Sequence, residues 1–226
     1  MRYWIRFTKE NLQQFISHRD MLKVMTRTTK RADVPVGYSQ GFNPHALISF
    51  SSPLELGVAS RSEYMDIHLT EDLTESELIK AFQTHLPPGF NVINCNKVIK
   101  KVPKLMAWLE RGIYQIHSSC FNEGLILQII GDIDKQDEII ITKRSKRTTK
   151  QINAKDLFSD LKLVDNSMLQ VSLQTGQKGN LKVSQFIEVM ELASNIKLTD
   201  SKATRVELLG DHNGELISPE QLLKIL

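Results

Sequence analysis

Residues 3–8 (YWIRFT) and 17–32 (SHRDMLKVMTRTTKRA) decide how the chain begins. The first run alternates apolar and polar side chains, the period-two pattern of a strand with one buried face. The second predicts a helix. Ser17 can cap it, and Asp20, three residues on, favours the positive end of the helix dipole. At about 100° per residue, Met21, Leu22, Met25 and Ala32 fall on one face. Arg19, Lys23, Arg27, Lys30 and Arg31 gather on the opposite one. Pro35 and Gly37 then punctuate the exit. Further out, 46–51 (ALISFS) and 62–70 (SEYMDIHLT) read as strands. Residues 74–85 read as a helix with a capping box, Thr74 and Glu77, closed by Pro87, Pro88 and Gly89. Residues 91–98 (NVINCNKV) complete a β-α-β-β-α-β order, the ferredoxin-like pattern. Both helices are then expected on one face of a four-stranded antiparallel sheet.

The stretch 97–104 (KVIKKVPK) is the expected linker, dividing a ferredoxin-like module at 1–98 from a second antiparallel α+β module at 105–226. In the second module 107–118, 125–130, 138–146, 168–175 and 205–209 read as strands, the first two able to pair around 121–124. Residues 154–161 and 183–193 read as helices, and Ser218-Pro219 starts a last one. No internal sequence repeat stands out.

With 226 residues, 41% apolar and 24% charged, the chain has the composition of one large or two small globular domains and not that of a disordered segment. No apolar run reaches about 18 residues and no signal-peptide block opens the chain, so a soluble cytoplasmic protein without membrane contact is expected. Two cysteines exclude a disulfide scaffold and a four-cysteine metal site, and no cofactor or metal is expected. The net charge of +3 is unevenly spread: residues 97–155 hold 12 basic and 6 acidic residues. Such a band attracts phosphate backbones. Its densest part is Lys143, Arg144, Lys146, Arg147 and Lys150.

The segment 35–45 (PVGYSQGFNPH) is rich in turn formers yet carries Tyr38, Gln40, Phe42, Asn43 and His45. Aromatics beside basic residues suit stacking on unpaired bases. Packing over the end of the core is the competing explanation. Candidate binding residues are therefore Arg19, Lys23, Arg27, Arg31, Tyr38, Gln40, Phe42, Asn43, His45, Lys143, Arg144, Lys146 and Arg147. His18 and His45 are the candidates for general acid–base chemistry, with Glu63 or Asp66 as possible partners.

Four ordered stretches carry a resemblance. They are Ser17-His18-x-Asp20, Arg27-x-x-x-Arg31-Ala32, the 35–45 segment, and Pro53-Leu54-x-Leu56-Gly57-x-x-Ser60-x-x-Glu63-Tyr64-x-Asp66. Together they resemble the radical-SAM-linked (radical-SAM-associated) protein family, a bacterial domain of unknown function. The second half matches more loosely, through 143–150, the LQTGQKGNLK turn and Thr204-Arg205. The resemblance implies a radical SAM protein as partner, bearing its own iron–sulfur cluster, and genes of ribonucleases and ribosomal proteins nearby. This chain has no CxxxCxxC motif for such a cluster. The expected function is an RNA- or ribonucleoprotein-binding accessory of a radical SAM enzyme, with RNA or a ribosomal particle as partner. The alternatives are an RNA-processing enzyme using His18 and His45, and a pure protein-interaction partner of the radical SAM protein.

Overall fold

The computed structural model describes residues 1–144, 149–176 and 179–226. In chain order the elements are β1 (Arg2–Lys9), α1 (His18–Arg31), β2 (Ile48–Phe50), β3 (Ala59–His68), α2 (Glu75–His85), β4 (Val92–Lys97) and α3 (Leu105–Trp108). They continue with β5 (Leu109–His117), α4 (Glu123–Asp134), β6 (Ile140–Arg144), β7 (Thr149–Asn153), β8 (Phe158–Asp165) and β9 (Met168–Gln174). α5 (Val183–Ser194), β10 (Lys202–His212), β11 (Glu215–Ile217) and α6 (Pro219–Ile225) close the series. This is a mixed α+β protein with largely antiparallel strands. No helix among the described residues is long and apolar enough to cross a membrane.

The chain divides into two compact units, Met1–Leu109 with Leu208–Leu226, and Glu110–Glu207. In the first unit, β1 pairs antiparallel with β3 and β4, and β2 pairs antiparallel with β3, giving the order β4-β1-β3-β2. Alternation along the strands sorts the side chains. Tyr3, Ile5, Phe7, Met65 and Ile67 share one core with Met21 and Met25 of α1 and Leu78 and Phe82 of α2, so both helices lie on one face. Trp4 and Tyr64 point the other way and need separate cover. Val102, Leu105, Leu109, Leu208, Ile217 and Leu222 provide it. That requirement explains why the C-terminal segment, grouped by sequence with the second module, packs in the first unit.

The caps are as the sequence implies. Ser17 Oγ accepts from Asp20 N at 3.2 Å, and Thr74 and Glu77 form a reciprocal capping box on α2. The inward face of α1 differs in part. Leu22 is exposed, while Thr28 and Thr29 are buried. Thr29 tolerates burial because its hydroxyl donates to Thr26 O at 2.8 Å.

Tyr3 is fully buried, and its hydroxyl donates toward Asp72 Oδ1 at 2.6 Å and Leu73 O at 2.7 Å. Asp72 also receives Lys97 Nζ at 2.6 Å. Burial first, then the Asp72 carboxylate, pushes the Tyr3 phenol up from its ordinary value of 10.0 to about 12. A phenol raised in the folded state stabilises fully below the unfolded value and loses that contribution as pH rises through the folded one. Stability should therefore fall between about pH 10 and 12 more steeply in the wild type than in Tyr3→Phe, measured by urea denaturation at stepped pH. Equal slopes would show that the phenol is not held this way.

β4 lies at one edge of the sheet. Three of its backbone N–H groups donate to side chains: Val92 N to Gln83 Oε1 at 2.9 Å, Cys95 N to Asn94 Oδ1 at 2.9 Å, and Lys97 N to Glu75 Oε1 at 2.8 Å.

The second unit repeats the strand order of the first. β9 pairs antiparallel with β5 and β8, and β10 flanks β5, so β10-β5-β9-β8 matches β4-β1-β3-β2 position for position. In chain order α4 follows β5 as α1 follows β1, and α5 follows β9 as α2 follows β3. α4 buries Ile126, Ile129 and Ile133, α5 buries Phe186, Val189 and Met190, and Phe158 meets Phe186 edge-on at 5.1 Å between centroids. Two expectations fail here. Residues 125–130, read as a strand, belong to α4, with Asn122 Oδ1 capping Leu125 N at 3.0 Å. Residues 154–161, read as a helix, form a 3₁₀ turn at Lys155–Leu157 followed by β8. β6 and β7 form a separate two-stranded ribbon between α4 and β8.

Candidate nucleic-acid interface

The outer face of α1 is basic, as its spacing requires. Arg19, Lys23, Arg27, Lys30 and Arg31 are all exposed. Lys23 is tied to Asp20 at 2.9 Å, and the Ser17 hydroxyl together with Lys23 holds the Asp20 carboxyl below its usual range. Arg31 Nη2 donates to His85 O at 3.1 Å, which steers its guanidinium toward the end of α2. Arg19, Arg27 and Lys30 have no ion-pair partner among the described residues.

Beyond the last turn of α1 the chain forms a closed finger. Its neck is the bridge between Tyr38 and Ala46, with Leu47 N donating to Gly37 O at 2.8 Å and Ser39 N to His45 O at 2.9 Å. Gly41 makes the turn at a φ of +120°, a region that side-chain-bearing residues avoid. Ser39 Oγ accepts from His45 N at 3.1 Å and lies 2.8 Å from His45 Nδ1. With Oγ accepting from that N–H, its own proton can go to Nδ1, which puts the neutral ring's proton on Nε2.

Gln40, Asn43 and His45 are exposed, Tyr38 is 42% exposed, and Phe42, at the tip, is 105% exposed. The finger's aromatics are therefore presented outward, and core packing does not explain Phe42. Full exposure of a Phe stabilises nothing in the fold. The role of Ser39 as the clasp was not legible beforehand; its only signal is a hydroxyl residue six positions before a histidine in a turn-rich segment.

The two histidines have different neighbours. His18 meets Phe50 edge-on at 5.4 Å between centroids, at the first turn of α1. The His45 ring is held in the finger, with Nδ1 2.8 Å from Ser39 Oγ. Asp66, one of His18's expected partners, is clamped by Arg2, whose Nη2 lies 2.6 Å from Oδ2, and it points to the sheet face away from the helices beside Trp4. Glu63 is buried in register with Phe7. No group of three His, Cys, Asp or Glu side chains able to hold a metal ion occurs among the described residues.

A buried lysine escaped the sequence reading. Lys9 is 2% exposed, and its Nζ donates to Ile16 O at 3.0 Å, fastening the segment before α1 to the end of β1.

In the second unit the ribbon is anchored by Ile139, Ile141 and Ala154, all buried. Lys143 Nζ donates to Asn180 O at 3.0 Å, and Lys150 is exposed. The side chain of Arg144, and residues Lys146 and Arg147, lie outside the described residues, as do Gln177 and Lys178 of the glycine-rich turn.

An α+β protein with a largely antiparallel sheet and an exposed aromatic finger following a basic helix is thus the class that fold and surface define. The chain belongs to the family described as an uncharacterized protein conserved in bacteria (DUF2344), whose model matches residues 2–183, a span that includes α1, the finger and the ribbon. No curated protein matches the chain.

Proposed function

We propose that this protein is an RNA- or ribonucleoprotein-binding accessory subunit that serves a radical SAM enzyme and brings no cluster of its own. The observation that carries the RNA part is Phe42, fully exposed on a closed loop directly after a helix that presents Arg19, Arg27 and Lys30 outward. Cations take up phosphates and flat rings stack on bases, the combination used for single-stranded nucleic acid. The radical SAM partner rests on the resemblance carried by the 17–20, 27–32, 35–45 and 53–66 motifs. We also read each unit as ferredoxin-like, which the shared strand order and the common helix face of the first unit support.

The test is the salt dependence of RNA affinity, measured by fluorescence anisotropy with and without the co-expressed radical SAM protein. On single strands the log–log slope should be about −0.7 per phosphate contact. Arg19→Ala, Arg27→Ala and Lys30→Ala combined should reduce its magnitude by about 2. Absence of binding at low salt in both preparations would refute the reading.

A further inference from the structure

Cross-strand register sorts the sheet of the second unit into two faces. Leu173 of β9 pairs with Gly112 of β5 and Phe158 of β8, and Phe158 meets Phe186 of α5, so this row faces the helices. Gln174, Ser172 and Gln170 of β9 therefore lie on the opposite face. Arg111 of β5 stands in register with Gln174, and Lys162 of β8 with Gln170. Arg111 is then the diagonal neighbour of Ser172, about 7–8 Å away, a gap that a long side chain spans.

Two donors on this face go unused. Arg111 Nη1 and Ser172 Oγ are both buried, and neither has a hydrogen-bond partner. Ser172 is 1% exposed. A buried N–H of a charged group left unmet is costly, and native structures seldom keep one without a use for it. Arg111 as a residue is only partly buried, so its side chain lies at the margin of the face and not in the core. Ser159, in register with Ser172, is already committed, its hydroxyl donating to Asp160 Oδ2 at 2.7 Å.

We propose that this face of the second unit binds a phosphate group, with the Arg111 guanidinium and the Ser172 hydroxyl as its donors and Lys162 as a second cation. A guanidinium fork pairs with two oxygens of a phosphate at once. A tetrahedral anion keeps further oxygens for the hydroxyl and for the amides of Gln170 and Gln174, where a planar carboxylate has only two oxygens to share. The site stands apart from the finger and α1 and does not depend on the RNA reading.

The experiment uses the full chain and two sources of phosphate. Inorganic phosphate is titrated calorimetrically against sodium chloride of matched ionic strength, and single-stranded RNA is titrated at stepped salt. Either phosphate binds the wild type and binds Arg111→Met and Ser172→Ala at least about 10-fold more weakly, which marks a free phosphate as the ligand, or Arg111→Met lowers the magnitude of the RNA salt slope by about 0.7, which marks a backbone phosphate. Melting in phosphate-free buffer is the control: removing an unpaired buried charge should leave Arg111→Met at least as stable as the wild type. The proposal is overturned if neither source responds to these substitutions, or if Arg111→Met and Ser172→Ala both melt well below the wild type without phosphate, since the two groups would then serve the fold. A wild type that binds phosphate but no RNA refutes the RNA reading alone.

Discussion

Replacing Gly89 with Ala should destabilise the first unit by about 2–5 kcal/mol, the sum of backbone strain and forced displacement of neighbours. Gly89 has a φ of +96°, which an L-residue adopts only under strain. A Cβ there would sit 2.6 Å from Glu10 O and 2.8 Å from Gln13 Cγ. The carbonyl cannot swing aside freely, because Glu10 N already donates to Gly89 O at 2.8 Å and Gln13 N to Glu10 O at 3.1 Å. Against a total stability of about 5–15 kcal/mol, the loss is a large fraction. The urea midpoint of unfolding reads it, and a midpoint within error of the wild type would show that the turn before β4 relaxes without cost.

Phe82→Ala should cost about 3–5 kcal/mol, the usual loss for a fully buried Phe. Phe82 is 1% exposed in the core shared by α1, α2 and the sheet. The variant should unfold well before the wild type in a thermal melt, whereas Phe42→Ala, at the solvent-exposed finger tip, should shift stability by less than about 0.5 kcal/mol. Equal melting shifts for the two would mean that the finger packs on something in solution, and that its exposed ring has been misread.

The first unit was legible because its signals agree. The capping box at Thr74, the cap at Ser17, the alternation in 3–8 and the turn formers at 87–89 all point to the same elements. The second unit was less so. The run LILQII at 125–130 is apolar nearly throughout, so its helical period is masked; Ile126, Ile129 and Ile133 turn inward while Leu127 is left 51% exposed. Residues 154–161 mix polar and apolar side chains in a way that fits a short helix, but Phe158 contributes to the core from a strand, and Asp160 takes a φ of +52° at an irregularity in the β8–β9 ladder. The repeated topology left no trace in the sequence, because it is fixed by the order of elements and not by matching residues.

Of the candidate interface, the basic stripe on α1 and the unusual content of 35–45 could be read directly from spacing and residue type. The closure of the finger could not. It depends on pairings between Tyr38 and Ala46 and between Ser39 and His45, contacts that no periodicity announces. Nor could the contact of His18 with Phe50, which depends on how α1 packs against a strand some thirty residues further along the chain.

The side chains of Gln83, Asn94 and Glu75, bonded to the outer N–H groups of β4, bear on how this protein behaves at high concentration. An open sheet edge is a template on which another chain can lay down a strand, the first step toward domain swapping or fibril growth. Here three of the N–H donors that an incoming strand would use are already engaged from within the same unit. That weakens the edge as a template without a proline, beside an Ile93 left 47% exposed on that strand.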